Sequence, residues 1–490
     1  MQRTSFCTTT KARPGRGRPT PTITADSRRW WHAECHATPS TTPISPGSPA
    51  SGAAALRSRC CTPTRARRTS PTRPRTSSRD PTISDELDIV FFWKQNDTGI
   101  YGRRQDMFVK YLARDPRIHR IFHFDAPADV RQWLRYPRSL GFRGTEAIAV
   151  MRQTLARKLR LADVGKVRFD TFLRLDSRRR GLGTLFRRLG TGGSFADYLD
   201  RTLRRRGLGE RRTVCWVCPT VPDFAEIHDR LRPDLVVADV IDDQRLWPLG
   251  ADERNAVDRN YADVLGLADV VLANCESVRE AMLSYNDQIH VVPNAAEAVD
   301  EAETWKQPQE LRRLAKPIIG YVGNLEAVRL DVDLVAAVVA ARPGWQFVFI
   351  GSAARDNPLR ELGNRPNVHL LGVRRYHEAR RFIRHFDVAI VPHLDNALTR
   401  HMNPLKLYVY FSLGVPIVAT PIANAGAAGE FVRVGQTASE FVDRIEACLA
   451  SGPPADSSRI SELLKENSWE ARVAQVISLI DEALRASVSR

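Results

Sequence analysis

A chain of 490 residues, 43% of them apolar, is long enough for two or three domains, each with its own core. It holds no run of about 18 apolar residues, which excludes a membrane-spanning helix, and no apolar signal-peptide core at its start, so cytoplasmic residence is the expectation. The net charge of +17 is segregated, +12 over residues 1–80, −1 over 81–130, +15 over 131–212 and −9 over 213–490. It therefore describes no single domain and does not by itself mark a nucleic-acid-binding protein.

Residues 1–84 are dominated by Arg, Thr, Pro and Ser without a hydrophobic period. Such a segment cannot bury enough apolar surface to offset its ordering entropy and reads as a disordered tail. Its bias is also that of an upstream or out-of-frame reading of GC-rich DNA. The expectation is a mis-called start, with folded structure beginning near Leu87; a basic nucleic-acid-binding arm is the other reading.

From Asp88 the texture changes. The apolar run Asp88 to Trp93, a glycine-containing loop from Asn96 to Gly102, a helical pattern through Met107, Phe108, Tyr111 and Leu112, and a strand from Arg117 to Phe124 form a βαβ series. The basic insertion 131–212 has helical stretches (Thr145 to Leu161, Phe195 to Arg206) and the clusters Arg178–Arg180 and Arg204–Arg206. Strands resume at Thr213–Pro219 and Asp234–Ile241. A helix from about Asp252 to Leu265 precedes the strand Ala268–Ala273. Ser277 then reads as the cap of a short helix, and Ile289 to Asn294 closes a first domain spanning 85–295. Cys215 and Cys218 have CxxC spacing, but they lie in an apolar strand with no second ligand pair and read as core residues.

Residues 296–316 are polar and read as a linker. A second alternating series spans 317–468. Its strands are Pro317–Val322, Trp345–Ile350, Asn367–Leu371, Asp387–Val391 and Pro416–Ala419. Its helices are Val332–Ala341, Tyr376–His385, Asn403–Leu413 and Ser439–Ala450. A last helix, from about Trp469 to Ala486 within 469–490, follows. The fold class is α/β: two Rossmann-like domains facing across a cleft, with ligands expected at the carboxyl ends of the strands.

Three loops of the second series fall at such ends. Gly320 to Leu325, followed by Arg329, offers glycine backbone for close approach and a cation for a diphosphate. Gly351 to Ala353 is the second. Asn403 to Tyr408 opens a helix with proline in its first turn and Lys406 where the helix dipole disfavours a cation, as suits a nearby anion. The Asp331-Val-Asp333 pair precedes a helix and reads as capping rather than as a metal site.

In order and spacing, five runs resemble the donor half of GT-B glycosyltransferases of the group 1, family-4-like type. They are Ile319 to Asn324, Val348 to Ser352, Asn367 to Gly372, Phe386 to Pro392 and Pro404 to Thr420. Asp234 to Asp243, Ala268 to Asn274 and Val291 to Asn294 resemble the ending of that family's first domain. Asn467 to Arg472 resembles the start of its C-terminal helix, which packs back toward the first domain.

The resemblance implies transfer of a sugar from a nucleoside diphosphate sugar, used as co-substrate, with no resident cofactor and no catalytic metal. Gly323, Asn324, Arg329 and Lys406 would then face the diphosphate. Val373 to Arg375 would border the nucleobase. Gly99, Gly102 and Arg103 would approach from across the cleft, and Gly351, Asn403, Pro404 and Leu407 would complete the donor-binding set. A carboxylate base would come from the first domain, with Asp125, Asp242 and Asp243 as candidates; Asp242 and Asp243 equally suit a turn. One departure stands out. The family's Glu-x7-Glu pair falls here on His401 and Val409, and a valine cannot accept the donor ribose hydroxyls.

The implied acceptor is a polysaccharide, glycolipid or other glycoconjugate, with an anionic membrane surface as a candidate partner of the basic insertion and no nucleic acid. The insertion equally suits a solvated surface, and membrane contact would place the protein peripherally at the inner face. A degenerate binding or scaffold subunit and a nucleotide-sugar 2-epimerase are the alternatives.

Overall fold

The computed structural model describes residues 86–95, 98–99, 101–129, 152–174, 194–299, 305–353, 357–452 and 457–488. The tail at 1–84, residues 131–151 and 175–193 of the insertion (Arg178–Arg180 among them) and residues 300–304 of the linker lie outside the described residues.

The first domain runs β1 (Leu87–Phe92), α1 (Arg104–Leu112), β2 (Ile118–Phe124), β3 (Ala128–Asp129), α2 (residues 152–158), β4 (Val167–Asp170) and β5 (Leu173–Arg174). It continues with α3 (Phe195–Arg205), β6 (Arg212–Val217), α4 (Phe224–Leu231), β7 (Leu235–Val240), α5 (Ala251–Leu267), β8 (Val270–Ala273), α6 (Glu276–Met282) and β9 (Ile289–Val291). Seven of these strands form one parallel sheet in the order β4-β2-β1-β6-β7-β8-β9, and β3 pairs with β5 apart from it. Every residue of β1 and β7 is buried. That burial without alternation follows from helices covering both faces, and the one carboxylate in each strand is paired, Asp88 with His119 and Arg120 and Asp239 with Arg104.

The second domain runs β10 (Ile318–Val322), α7 (Val332–Ala341), β11 (Gln346–Ile350), α8 (Leu359–Leu362), β12 (Val368–Gly372), α9 (Tyr376–Ile383), β13 (Val388–Val391) and α10 (Ala397–Arg400). After these come α11 (Leu405–Ser412), β14 (Ile417–Ala419), β15 (Val432–Val434), α12 (Ala438–Ser451), α13 (Ser457–Glu466) and α14 (Trp469–Val488). Its sheet is parallel, in the order β12-β11-β10-β13-β14-β15. Strand order reverses beside β1 in one sheet and beside β10 in the other. Each reversal opens a crevice at the carboxyl ends of the strands.

Several contacts hold the two domains together. Helix α14 lies on the first domain, with Trp469 edge-on to Phe108 at 5.4 Å. Arg117 and Asp481 form a two-pronged ion pair of 2.5 and 2.6 Å. Asn294 donates its backbone N–H to Asn403 Oδ1 (2.8 Å) and its side-chain amide to the Asn403 carbonyl (2.6 Å). Glu297 pairs with Lys110 of α1 and with Arg380 of α9.

Local differences from the sequence reading have local causes. Ser277 is not a cap: Cys275 holds the N-cap position of α6, and the Ser277 hydroxyl donates to the Arg400 carbonyl across the cleft. Pro404 is the N-cap residue of α11 rather than part of its first turn. Asp331 does cap α7, accepting the Leu334 N–H at 2.9 Å. Part of the insertion's charge turns inward. Arg157 pairs with Asp125, while Lys158 and Arg206 pair with Asp170. No helix of the described residues is long and apolar enough to cross a membrane.

Candidate active site

The β10 and β11 ends of the second domain are built around glycine. Gly323 has φ 150° and Gly351 φ 157°, and Gly351 hydrogen-bonds to the Gly372 carbonyl. A Cβ on Gly351 would lie 1.7 Å from the Gly323 oxygen, and one on Gly323 would lie 2.8 Å from Lys406 Nζ. The two loops therefore pass so closely that only bare backbone fits, and the Gly323 and Gly351 amides donate to the Ile350 and Gly372 carbonyls.

Lys406 enters from the first turn of α11. Its ammonium donates to the Tyr321 hydroxyl, lies 4.1 Å from the centre of that ring and 3.3 Å from His393 Nε2. Burial, reinforced by the charge of Arg329, lowers the Lys406 pKa to about 7. His393, the second residue after β13, is held well below its usual pKa by burial and by the same two cations. It stands neutral, with Nε2 placed to accept from Lys406. The positive end of α11 adds to the cost of a charge here. An arriving anion would remove that cost.

Arg329, in the loop after β10, sits at the inner edge of the cleft, with Nε 3.3 Å from Glu326 and its guanidinium 5.8 Å from the Trp247 ring centre. Trp247 belongs to the first domain. Its other neighbour is Lys94, whose ammonium is 4.8 Å from the ring centre. Asp242 lies in the same cluster. Burial raises its pKa, and Arg329, Lys94 and Arg103 oppose that rise as its nearest cations. Asn274 beside it is buried, and its amide also opposes the rise.

The crevice thus brings together Arg103, Asp242, Gly323, Arg329, Gly351 and Lys406 of the expected residues. The Gly99–Arg103 loop reaches the second domain. Gly99 and Arg103 donate backbone N–H groups to Asp106, and the Tyr376 ring fills the space a Cβ on Gly102 would need. The backbone of Val373 to Arg375 leads into α9, where Arg375 is the N-cap residue and its N–H binds Glu378. Asn324 is exposed at the loop tip.

Other expected residues serve the framework. Asp243 caps a short 3-10 turn, and both its oxygens are taken by the Arg245 guanidinium at 2.7 and 2.8 Å, so it is not free to act as a base. Asn403 spends its side chain on Asn294, Tyr408 and Asn424, joining the domains rather than facing the crevice. Leu407 is core, and so is Val409 at 8% exposure. Asp125 is buried against Arg157. Reading the sequence missed Lys94, Trp247, Tyr321 and His393. Lys94 and His393 lie within two residues of a strand end at a sheet reversal, a position that marks them.

Residues 316–451 match the family model described as glycosyl transferases group 1. They are a group 1 glycosyltransferase domain. The Bacillus subtilis (strain 168) protein "Putative teichuronic acid biosynthesis glycosyltransferase TuaH" is 23% identical over 243 residues, covering 46% of this chain and 59% of that protein. The chain therefore spans about three fifths of the length of that curated relative. Among solved structures, sucrose-phosphate synthase from Thermosynechococcus elongatus superposes with a TM-score of 0.52 at 13% identity, covering 81% of this chain and all of that one. An α,α-trehalose-phosphate synthase (UDP-forming) from Burkholderia vietnamiensis gives 0.50 at 13% identity, covering 82% and 99%. At such identities the likeness is one of fold, the GT-B arrangement of two Rossmann-like domains.

Proposed function

We propose that this protein is a glycosyltransferase that moves a sugar from a nucleoside diphosphate sugar to a polysaccharide, glycolipid or other glycoconjugate acceptor, without a catalytic metal. The observation that carries this reading is the pairing of two cations, Arg329 and Lys406, with the bare backbone of Gly323 and Gly351 at the reversal of the second sheet. Two cations beside backbone with no side chain in the way suit a diphosphate.

In transfer, charge builds on the departing diphosphate as the glycosidic bond breaks. Arg329 and Lys406 would stabilise that charge where water is largely excluded. Lys406 is suited to the task because its proton is weakly held until the anion arrives. Asp242, across the cleft and near Arg329, would face the transferred sugar. Val409 gives the ribose no acceptor, so the donor's grip would rest on the diphosphate more than on the nucleoside. The matched family and the named relatives are transferases and synthases, which favours transfer over epimerisation.

A thermal-shift screen of the full chain against UDP, GDP, dTDP and CMP tests the reading. One nucleotide should raise the melting temperature, and Arg329→Ala or Lys406→Ala should abolish the shift. Indifference to all four would leave the degenerate binding subunit as the better account. The expected peripheral membrane contact is a separate matter. It would have to come from the exposed part of the insertion, and flotation with anionic liposomes measures it.

A further inference from the structure

Two short segments of the second domain are laced together beside the crevice. The Asp331 N–H donates to the Pro392 carbonyl at 2.9 Å, and the Leu394 N–H donates to the Arg329 carbonyl at 2.8 Å. His393 lies between these two bonds. Its own N–H reaches the Val391 carbonyl (3.0 Å), and its carbonyl accepts the Thr420 hydroxyl (2.6 Å). The backbone of His393 is therefore fixed on both sides, and the same lacing fixes Arg329. The imidazole held by this backbone puts Nε2 3.3 Å from Lys406 Nζ.

An ammonium has three N–H groups to place. One goes to the Tyr321 hydroxyl. That hydroxyl has a single proton and donates it to the Asn324 carbonyl at 3.1 Å, so toward Lys406 it accepts. The second N–H goes to Nε2 of the neutral His393. Both acceptors are buried, Tyr321 at 1% exposure and His393 at 3%, whereas Lys406 keeps part of its surface. The third N–H is left on the open side, next to the space where a Cβ on Gly323 would lie 2.8 Å from Nζ. The other titratable and charged groups gathered here are Arg329 and Glu326 on the loop after β10 and Tyr410 on α11. Arg329 disfavours the ammonium, and Glu326 faces Arg329 at 3.3 Å. Among the described residues Lys406 forms no ion pair, so two neutral acceptors steady its charge before an anion arrives.

We propose that His393 is a positioning residue of the donor site: together with Tyr321 it holds two of the three N–H groups of Lys406, so that the third is aimed over Gly323 at the diphosphate. The aiming follows from the geometry of these four residues; its purpose rests on the transferase reading above.

Calorimetric titration of the full chain with UDP, GDP and dTDP between about pH 6 and pH 8.5 tests it. Affinity is read as the ratio of wild type to variant at each pH, which cancels the nucleotide's own ionisation. His393→Leu removes the acceptor and should lower the proton affinity of Lys406 by about one pKa unit, so its deficit should grow about fivefold across this range. His393→Gln keeps an acceptor at a similar reach and should bind as the wild type does. Tyr321→Phe, which keeps the ring, should show the same growing deficit and stands in should His393→Leu fail to fold; melting temperatures of the free variants are the control. In a Lys406→Arg background, adding His393→Leu should give a ratio that does not change with pH, because arginine stays charged. A deficit equal at every pH, a glutamine variant as weak as the leucine one, or a growing deficit that persists in the Lys406→Arg background overturns the proposal and leaves the donor reading standing. A wild-type chain that binds none of the three nucleotides removes the donor reading, and this proposal with it.

Discussion

The two sides of the cleft are built on the same sheet geometry but use different means. On the second domain, backbone does much of the work. Gly323 and Gly351 press loop against loop so closely that no side chain fits, and Lys406 fills what remains. On the first domain, side chains do the work, with Lys94 and Trp247 meeting Arg329 from the far side and Asp125 held by Arg157. A diphosphate is much the same in every nucleotide sugar, so a tightly fixed backbone site suits it. An acceptor differs from enzyme to enzyme, and side chains on a common framework can change without disturbing the fold.

The sharpest way to break this contrast is at Gly351. A Cβ there meets a carbonyl oxygen at 1.7 Å, and a backbone atom cannot swing aside as a side chain can. Gly351→Ala should destabilise the protein by about 3 kcal/mol or more, measured by chemical denaturation. Lys94→Gln should cost less than about 0.5 kcal/mol, as for other surface-facing changes. Similar costs at both positions would mean that the two sides are not built differently after all.

The same contrast explains what could be read from the sequence. The glycines announced themselves because close backbone approach allows few residues, and the strand–loop–helix rhythm around them is periodic. After β1 the glycine loop was legible in the same way, but the role of Lys94 was not. Lys94 acquires its place through Trp247, some 150 residues later in the chain, and no local pattern encodes that. Asp242 and Asp243 were indistinguishable by type and position. Backbone direction separates them, turning Asp243 into a cap for Arg245 and leaving Asp242 in the cleft. Asn403 was misjudged for a related reason. It lies beside Lys406 in sequence, yet its amide faces the hinge. Strand β4 went unread because its short segment, Val-Arg-Phe-Asp, has weak apolar character, and its Asp170 is held by distant Lys158, Tyr198 and Arg206 as well as by the Thr171 N–H.

Nucleotide affinity offers the next largest effect. Arg329→Ala should weaken binding of the preferred nucleotide by about a hundredfold, the loss expected when a charge-assisted phosphate contact is removed from a partly buried site. Lys406 adds a pH signature. The unfolded chain keeps this proton up to about pH 10.5, whereas the folded chain sheds it near pH 7. Folding stability from this group therefore rises with pH across the window between those values. Nucleotide binding should do the reverse, since it favours the protonated form. Affinity should fall several-fold, at most about tenfold per pH unit, as pH rises above 7. Lys406→Arg should flatten that slope, because arginine stays charged. A slope unchanged in the arginine variant would assign the titration to another group.

Helix α14 follows the second domain in sequence but lies on the first. Arg117 and Asp481 meet with both prongs engaged, yet their side chains are 35% and 21% exposed. Solvent screens such a pair, and fixing two flexible side chains offsets part of the gain, so Asp481→Asn should cost only about 0.5–1 kcal/mol. The apolar part of the same contact, Trp469 against Phe108, is fully buried, and Trp469→Ala should cost about 3–5 kcal/mol. Chemical denaturation of the two variants decides between them. If Asp481→Asn proved as costly as Trp469→Ala, the helix would be held to the first domain by charge rather than by its buried aromatic contact, and its attachment would weaken with added salt.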